Sequence, residues 1–356
     1  MIPHRDILLH HYCRVCDAPL GGKVYLDLGE QPLANAFVAP AEREQPEFTA
    51  PLQVALCTTC GLSQLTVVIE PQRLYSRYLF TASTSAPWLA HCAKLVRDYT
   101  ARWGAHKFVV EIGSNDGALL SVFKEHGHKV LGVEPAQNIT ERVSVPTLPL
   151  FWGADVAAQI AQANGHADLI VATNVLGHVD DARDFLTGVA ALLKPSGVAL
   201  IECPHISPLV MLRAFDTIYH EHLSYWSLGP LERLAEECGL FVFAAEPQAV
   251  HGGTMRYWLC PLSAAHFTDS LTSLWKHELR AATGASTFTR SLARPWPLRG
   301  QHYKKHSPRP ACTVSVMFCA GSTPSTLCPA SRKRCRSAPS FEPISTTNLW
   351  VPQRVV

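Results

Sequence analysis

The stretch VVEIGSNDG, residues 109–117, decides the fold of this chain. An apolar run leads to Glu111 and ends at Gly113. A polar turn follows, and Gly117 precedes the helical pattern ALLSVFKEHG. Glycine lets a backbone approach a ligand closely, and the N-terminus of the next helix offers unpaired N–H groups. The stretch therefore predicts a buried strand, a ligand-binding turn and a helix.

Strands and helices continue to alternate on the C-terminal side of this turn. Alternation with helices of 10–15 residues is typical of a parallel, doubly wound α/β sheet. The predicted parallel strands cover residues 107–113, 129–135, 167–176 and 197–204. The predicted helices cover residues 118–127, 181–193 and 228–240. Residues 241–250 and 252–260 are predicted to form an antiparallel pair at the edge of the sheet.

The acidic residues around the turn indicate which cofactor binds there. Glu134 ends the second strand, where a carboxylate can accept hydrogen bonds from both hydroxyls of a ribose. The spacing G-x-x-x-G differs from the dinucleotide pattern, and the turn has no phosphate-binding lysine. An acidic turn suits S-adenosylmethionine (SAM), which is cationic and has no phosphate, although a generic turn with chance acids is the alternative. The predicted SAM-binding residues are Glu111, Gly113, Asn115, Asp116, Gly117 and Glu134, with Asp155 and Asn174 flanking the adenine and methionine ends.

Two C-x-x-C pairs near the N-terminus predict a metal site. Cys13 and Cys16 are separated from Cys57 and Cys60 by 40 residues. Two such knuckles supply four thiolates to one tetrahedral ion and leave no open position, as in structural zinc sites. Redox-active or accidental pairs are the alternatives, and His10 or His11 would be substitute ligands. We expect one structural zinc ion.

A second polar cluster follows the fourth predicted strand. In the segment FDTIYHEHLSYWSL, the residues Tyr219, His220, Glu221 and His222 are consecutive and titratable. This position lies past the C-terminal end of a strand, where doubly wound sheets bind ligands, and histidine moves protons near neutral pH. His178, after the third strand, faces the same edge. A hydrogen-bonded surface turn is the alternative interpretation.

Composition narrows the cellular context. The chain has 356 residues, 47% of them hydrophobic, but no run of 18 apolar residues and no apolar leader segment. These features predict a cytoplasmic protein with no membrane span, and nothing in residues 1–280 suggests nucleic-acid binding. Of 31 basic and 29 acidic residues, residues 281–356 hold 11 basic and one acidic, Glu342. The remaining 20 basic and 28 acidic groups make residues 1–280 acidic.

Seven of these segments together resemble the sugar C-methyltransferases that act on nucleotide-linked keto-deoxysugars. The matching stretches are LGEQPLANAF, the two cysteine pairs, EIGSNDGALL, GVEPAQNI, ATNVLGHVDD, FDTIYHEHLSYWSL and HGGTMR, within about residues 10–260. The resemblance implies an N-terminal zinc domain, a central Rossmann-like SAM domain and a C-terminal domain that helps to hold a nucleotide-sugar substrate. It says nothing about oligomeric state.

The resemblance also implies roles for the polar cluster. His222 corresponds to the general base that removes the proton next to the ketone, and Glu221 and Tyr219 assist by orientation and hydrogen bonding. His178 lies near the sugar, and Tyr75 or Tyr78 reaches in from the N-terminal side. We select Tyr78, and note that relatives often carry a tyrosine where this chain has Phe80. A SAM enzyme acting on oxygen or nitrogen, and an inactive zinc- and SAM-binding protein, are the alternatives.

The resemblance stops after HGGTMR. Residues 281–356 are rich in proline, serine, threonine and arginine, and lack the second α/β domain of the relatives. We interpret this segment as translated out of frame from a point near residues 262–290, with a basic disordered tail as the alternative. The predicted domains are therefore a zinc module (1–70), a helical connector (71–106), a SAM domain (107–262) and a degenerate or disordered remainder (263–356).

Overall fold

The structure, a computed structural model, describes residues 7–264 except 22, 43 and 251, together with Leu271, Ser273, Leu274 and Glu278. Predictions about residues 281–356, including the out-of-frame hypothesis, lie outside the described residues. Among the helices that the structure describes, none combines the length and apolarity needed to cross a bilayer.

The N-terminal module contains more strand than its sequence pattern suggested. Its strands are β1 (Ile7–Leu9), β2 (Val24–Pro32), β3 (Thr49–Leu56), β4 (Ser63–Leu65) and β5 (Val67–Ile69). β1 pairs with β5, and β2, β3 and β4 form an antiparallel sheet. Along β3, buried residues alternate with half-buried ones, because one face of that strand covers a small apolar core.

Two helices, α1 (Pro71–Tyr75) and α2 (Ala86–Trp103), lead from this module into the central domain. Ser85 caps α2 by accepting a hydrogen bond from the backbone N–H of Trp88 at 3.4 Å. One face of α2, including Cys92 and Tyr99, is buried on the central sheet beside Phe123. The helix predicted within the 71–106 segment is therefore present and covers one face of that sheet.

The central domain is a seven-stranded sheet with helices on both faces. The sheet has the strands β6 (Phe108–Ile112), β7 (Lys129–Val133), β8 (Thr147–Leu148), β9 (Ala167–Thr173), β10 (Leu193–Pro204), β12 (Leu240–Gln248) and β13 (Thr254–Pro261). The helices of this region are α3 (Ala118–Glu125), α4 (Gln137–Thr140), α5 (Ala154–Asn164), α6 (Ala182–Leu192), α7 (Ile206–Leu212) and α8 (Leu228–Glu237), and a further short strand, β11 (Ser224–Tyr225), precedes α8. The strand order is β12-β13-β10-β9-β6-β7-β8.

This topology confirms the predicted Rossmann-like sheet. β6 pairs in parallel with β7 and β9, and β10 pairs in parallel with β9, while β13 lies antiparallel between β10 and β12. The antiparallel pair predicted at the sheet edge is thus present. The chain runs outward from β6 to β8 and then returns to β9, so the strand order reverses between β6 and β9. Open α/β sheets bind their ligands at such a reversal.

β11 belongs to the N-terminal sheet rather than to the central one. It follows the Tyr219–His222 cluster and pairs antiparallel with β4, placing Tyr225 opposite Ser63. The segment that carries the candidate base is therefore hydrogen-bonded directly to the zinc module. This pairing brings two regions of the chain that are distant in sequence to the same edge of the central sheet.

Candidate active site

The four predicted zinc ligands meet in the N-terminal module. The Sγ atom of Cys13 lies 3.4 Å from that of Cys60, and the Sγ atom of Cys16 lies 3.5 Å from that of Cys57. All four sulfur atoms lie within 4.8 Å of one another. A tetrahedral ion with Zn–S bonds of ~2.3 Å requires sulfur atoms about 3.8 Å apart. The donor set and its spacing therefore fit one structural zinc ion.

Both cysteine pairs lie on turns of the same construction. The backbone N–H of Asp17 donates to the carbonyl oxygen of Cys13 at 3.0 Å, and that of Gly61 donates to the carbonyl oxygen of Cys57 at 2.9 Å. Asp17 and Gly61 both have positive φ, 55° and 87°. This conformation reverses the chain directly after each C-x-x-C, so both thiols of a pair face one point.

Glu134 occupies the predicted cofactor position at the end of β7. Its carboxylate accepts backbone hydrogen bonds from Asn115 and from Ala136, each at 2.9 Å. Gly113 has φ of +67°, and a Cβ atom there would approach Cγ2 of Val175 to 2.5 Å. The turn after β6 thus requires glycine and is held in place by a buried carboxylate.

Three acidic side chains lie close together at this turn. Glu111 is 3% exposed, and its Oε2 has no hydrogen-bond partner among the described residues. Burial, together with the nearby charges of Glu134 and Asp116, raises the pKa of Glu111 well above its ordinary range. Burial also raises the pKa of Glu134. A cationic ligand would relieve this concentration of negative charge, which is the electrostatic requirement of SAM.

The segment after α1 closes over the turn. The side chain of Asn115 donates to the carbonyl oxygen of Phe80 at 3.0 Å and accepts from the N–H of Ala82 at 2.9 Å. The carboxylate of Asp116 accepts from the N–H of Ser83 at 2.9 Å. Here the side chains of Asn115 and Asp116, both predicted to contact the cofactor, bind the protein's own backbone. The Oδ1 atom of Asp116 has no hydrogen-bond partner among the described residues, and the cofactor contacts of both side chains stay predictions.

His222 has a defined tautomer. Its Nδ1 lies 2.7 Å from the carbonyl oxygen of Thr217, and because a carbonyl can only accept, Nδ1 must carry the hydrogen. In the neutral ring, Nε2 then holds the lone pair, and the hydroxyl of Tyr219 donates to it at 2.9 Å. Burial, and next Glu221 and Tyr78, raise the pKa of Tyr219, so its hydroxyl stays protonated.

His178 faces the same ring. The two imidazoles lie edge to face, with centroids 4.9 Å apart. Burial, and then the neighbouring His222, hold the pKa of His178 well below its ordinary value, so the ring is neutral near pH 7. The hydroxyl of Tyr75 lies 3.1 Å from Nδ1 of His178 and donates to the carbonyl oxygen of Glu221 at 3.3 Å. Tyr75 therefore joins the two segments that carry the histidines.

Glu221 is a buried carboxyl beside this cluster. Its Oε1 accepts a hydrogen bond of 2.8 Å from the side chain of Asn35, and its Oε2 has no partner among the described residues. Burial raises the pKa of Glu221, and the bond from Asn35 opposes that rise. Asn35 lies in the LGEQPLANAF stretch, so the zinc module contributes directly to the cluster.

One cavity lies beside the two histidines. Its lining residues are Asn174, Gly177, His178, Pro204, Leu209, His222, Ser224 and Tyr225. Asn174 follows β9 at the point where the strand order reverses and has φ of 58°. The two candidate catalytic histidines and one predicted cofactor residue, Asn174, therefore share one cavity.

Comparisons with known proteins agree with this arrangement. Residues 88–244 match a family model described as "Methyltransferase domain", and residues 13–75 match one described as "Putative zinc binding domain". C-methyltransferase NovU of Streptomyces niveus is 37% identical over 262 residues, which are 71% of this chain. Residues 88–244 are therefore similar to a methyltransferase domain and residues 13–75 to a zinc-binding domain, in a chain that is similar to a C-methyltransferase. The chain spans 61% of the length of NovU.

Two weaker similarities cover smaller parts of the chain. A ubiquinone biosynthesis O-methyltransferase of Rhizobium rhizogenes is 29% identical over 97 residues, which are 26% of this chain and 39% of that protein. The structure of a magnesium protoporphyrin IX methyltransferase from Synechocystis PCC 6803, with bound SAH, is 12% identical. It matches 53% of this chain and 90% of that chain, with a TM-score of 0.39.

Three residues that the sequence analysis singled out have surroundings that the sequence did not indicate. Tyr78, selected from sequence, has its ring centroid 6.1 Å from that of Tyr75, and it is Tyr75 that bonds to His178. The backbone of Tyr78 exchanges two hydrogen bonds with Asn138 instead. Asp155 is exposed in the first turn of α5. His10 bonds to Asp180 rather than approaching the four thiols.

Sequence reasoning assigned no role to three residues that support the site. Asn35 holds Glu221, Arg14 holds the segment after His178, and the carbonyl group of Thr217 sets the tautomer of His222. The LGEQPLANAF stretch was a signal for Asn35, because the asparagine lies within a matched motif. Every residue has a backbone carbonyl group, so the sequence cannot indicate that the carbonyl of Thr217 has this role, and only the structure identifies it.

Proposed function

We propose that this chain is a SAM-dependent C-methyltransferase whose substrate is a nucleotide-linked keto-deoxysugar. The proposed reaction removes a proton next to the ketone and transfers a methyl group to the resulting enolate carbon. The observation that carries the proposal is the tautomer of His222, which makes Nε2 the basic nitrogen of a ring that lines a cavity together with Asn174. Methylation of carbon, unlike that of most oxygen or nitrogen acceptors, requires a strong and well-placed base.

His222 is the proposed base. The C–H bond next to the ketone breaks, its proton moves to Nε2 of His222, and the electron pair is delocalised onto the ketone oxygen. The ring can accept this proton because the bond from Nδ1–H to the carbonyl oxygen of Thr217 stabilises the imidazolium. Tyr219 must release Nε2 for this step, and its freed hydroxyl becomes available to the substrate.

The neighbours of the base would stabilise the enolate. Charge that develops on the ketone oxygen needs donors placed in advance, within a site that excludes water. The hydroxyl of Tyr219 becomes such a donor once it leaves Nε2, and burial keeps it protonated because it raises the pKa of Tyr219. The hydroxyl proton of Tyr75 is held by the carbonyl oxygen of Glu221, so Tyr75 acts by positioning the two histidine segments. Glu221, held by Asn35, presents its second carboxyl oxygen to orient a sugar hydroxyl.

SAM supplies the methyl group that the enolate carbon takes up. We place its ribose at Glu134 and its methionine end between Gly113 and Asn174, with Glu111 balancing positive charge. Zinc has no part in this chemistry. The four thiols of the knuckles leave an ion no open position, so the metal stabilises the module that carries Asn35.

Solvent exchange tests the proposed base without methyl transfer. A nucleotide 4-keto-6-deoxysugar is incubated in D2O without SAM, and loss of the proton next to the ketone is followed by NMR. His222→Asn should slow exchange by about 10²–10⁴-fold, the usual contribution of a general base. The matched control is His220→Asn, because His220 is also buried but donates to the carbonyl oxygen of Ala50, away from the cavity.

Three results would contradict the proposal. Exchange by His222→Asn at the wild-type rate would remove His222 from the role of base. Methylation of an oxygen or nitrogen by the wild-type chain, without any proton exchange, would favour the alternative acceptors. Binding of SAM with neither exchange nor transfer on any keto-sugar nucleotide would indicate an inactive zinc- and SAM-binding protein.

A further inference from the structure

The side chain of Arg14 is the feature that the proposed mechanism leaves unexplained. Arg14 lies between the first two cysteine ligands, and its side chain is 0% exposed. Burying a guanidinium is costly unless its donors are satisfied, so an arginine within a zinc knuckle would normally point outward. Here Asp180 compensates the charge, because Nε of Arg14 donates to Oδ1 of Asp180 at 2.9 Å.

The other contacts of Arg14 reach a second segment. Its Nη1 donates to the carbonyl oxygen of Leu65 at 2.9 Å and to that of Leu223 at 3.3 Å. Its backbone N–H donates to the side chain of Gln64 at 3.0 Å. One guanidinium therefore connects three separate pieces of chain, which its planar fork of donors allows and a lysine ammonium would not.

Two of these pieces carry the candidate catalytic histidines. Asp180 is two residues after His178, and Leu223 is the residue after His222. The two rings lie 4.9 Å apart. Their mutual position therefore depends on whatever joins the two backbones. Tyr75 joins the segments from the cavity side, and Arg14 joins them from the side of the zinc module.

We propose that Arg14 is a positioning residue that couples the zinc knuckle to the catalytic histidines. The four thiols fix the Cys13–Cys16 turn, this turn fixes the stem of Arg14, and the guanidinium sets the separation of the His178 and His222 segments. The proposal rests on the proposed role of His222 as the base. It makes the zinc site a determinant of base geometry in addition to a determinant of folding.

The test compares Arg14→Lys with a matched control. Arg14→Lys keeps the charge and the stem, but one nitrogen cannot reach Asp180, Leu65 and Leu223 together. The control is His10→Gln, because His10 also bonds to Oδ1 of Asp180, at 2.9 Å, yet makes no hydrogen bond to the described residues of the His222 segment. Zinc content, SAM affinity by calorimetry, proton exchange without SAM and the imidazole ¹H–¹⁵N signals are measured for each zinc-loaded chain.

We expect Arg14→Lys to retain one zinc per chain and a SAM affinity within about twofold of wild type. Its exchange rate should fall by between about 10-fold and 100-fold, because displacements near 1 Å cost up to ~10² in rate. The ring signals of His178 and His222 should shift, and removal of zinc by a chelator should shift them at least as far. His10→Gln should match wild type in all four measurements.

Other outcomes would either overturn the proposed role of Arg14 or distinguish its failure from a failure of the proposed function. Wild-type exchange together with unshifted ring signals in Arg14→Lys would overturn it, as would an equal loss in His10→Gln. If wild type itself exchanges no proton, the proposed function fails, and the ring signals alone decide whether Arg14 sets the histidine positions. If Arg14→Lys does not fold, Asp180→Asn breaks the same ion pair from the other side and carries the same expectations.

Discussion

Replacing Glu134 with alanine tests the cofactor site most directly. The carboxylate of Glu134 accepts backbone hydrogen bonds from Asn115 and Ala136, each at 2.9 Å, and is 6% exposed. Its proposed third partner is the ribose of SAM. Glu134→Ala therefore removes two bonds that exist without ligand and one that forms only on binding. The two effects are separable, because the first changes the free protein and the second changes affinity.

The magnitudes follow from the type of bond. A hydrogen bond to a charged group contributes about 1.5–3 kcal/mol, so loss of the ribose contact should weaken SAM binding by that amount. The dissociation constant would rise by between about 10-fold and 150-fold. In the free protein, the N–H groups of Asn115 and Ala136 would lose their acceptor, each costing about 1–3 kcal/mol if it remains buried. Water entering the space of the missing carboxylate would reduce this second cost.

Calorimetry with SAM and chemical denaturation without SAM measure the two effects. Glu141→Ala is the matched control, because Glu141 is an exposed glutamate in the same connection after β7. It should change neither affinity nor stability. Unchanged SAM affinity in Glu134→Ala would show that the ribose does not lie at Glu134. Unchanged stability in the absence of SAM would show that the two backbone bonds do not hold the turn.

Three further predictions concern the zinc ligands, the tyrosine beside the candidate base and the buried Glu111. Cys57→Ser should lower zinc content well below one ion per chain and increase amide exchange in the N-terminal module, and a fully loaded, unchanged variant would argue against zinc there. Tyr219→Phe should slow proton exchange by roughly 10-fold with SAM affinity unaltered; an unaffected rate would exclude its hydroxyl from the mechanism. Glu111 has a folded pKa raised above the ordinary 4.5, so wild-type stability should fall as pH rises through that window. Glu111→Gln should lack this fall. If the free energy of unfolding has the same dependence on pH in wild type and variant between about pH 4.5 and 8, the pKa of Glu111 is not raised in the folded protein.

Local patterns predicted most of the central domain. The strand that ends at Gly113, the carboxylate at Glu134 and the final antiparallel pair are encoded within windows of ten or so residues, where apolar periodicity and glycine positions carry the information. The cysteine pairs were equally local, because each C-x-x-C forms its own turn. β8, with two residues, is too short to show any period.

Contacts between distant segments could not be predicted in this way. Asn35 and Glu221 are separated by 186 positions, and Arg14 and Asp180 by 166. Glu221 lies just before β11, which pairs with β4, and a strand of two residues contains no sequence signal for its pairing partner. The contact of Tyr75 with His178 could not be predicted for a related reason, because it depends on where α1 ends, and the role of Tyr78 stays a prediction.

Glu278 bears on where the altered composition of the C-terminal region begins. Its Oε1 accepts a hydrogen bond from the backbone N–H of Leu228 at 3.0 Å and lies 2.8 Å from Nε2 of His205. His205 uses Nδ1 to accept from the N–H of Ser207, so Nε2 must donate to Glu278. A carboxylate that is 5% exposed and satisfies two donors of the central domain is improbable in a segment of unrelated sequence. If the tail is out of frame, the change in frame therefore lies after Glu278, and a Glu278→Leu variant should lower the stability of the domain by about 1–3 kcal/mol by leaving the N–H of Leu228 without an acceptor.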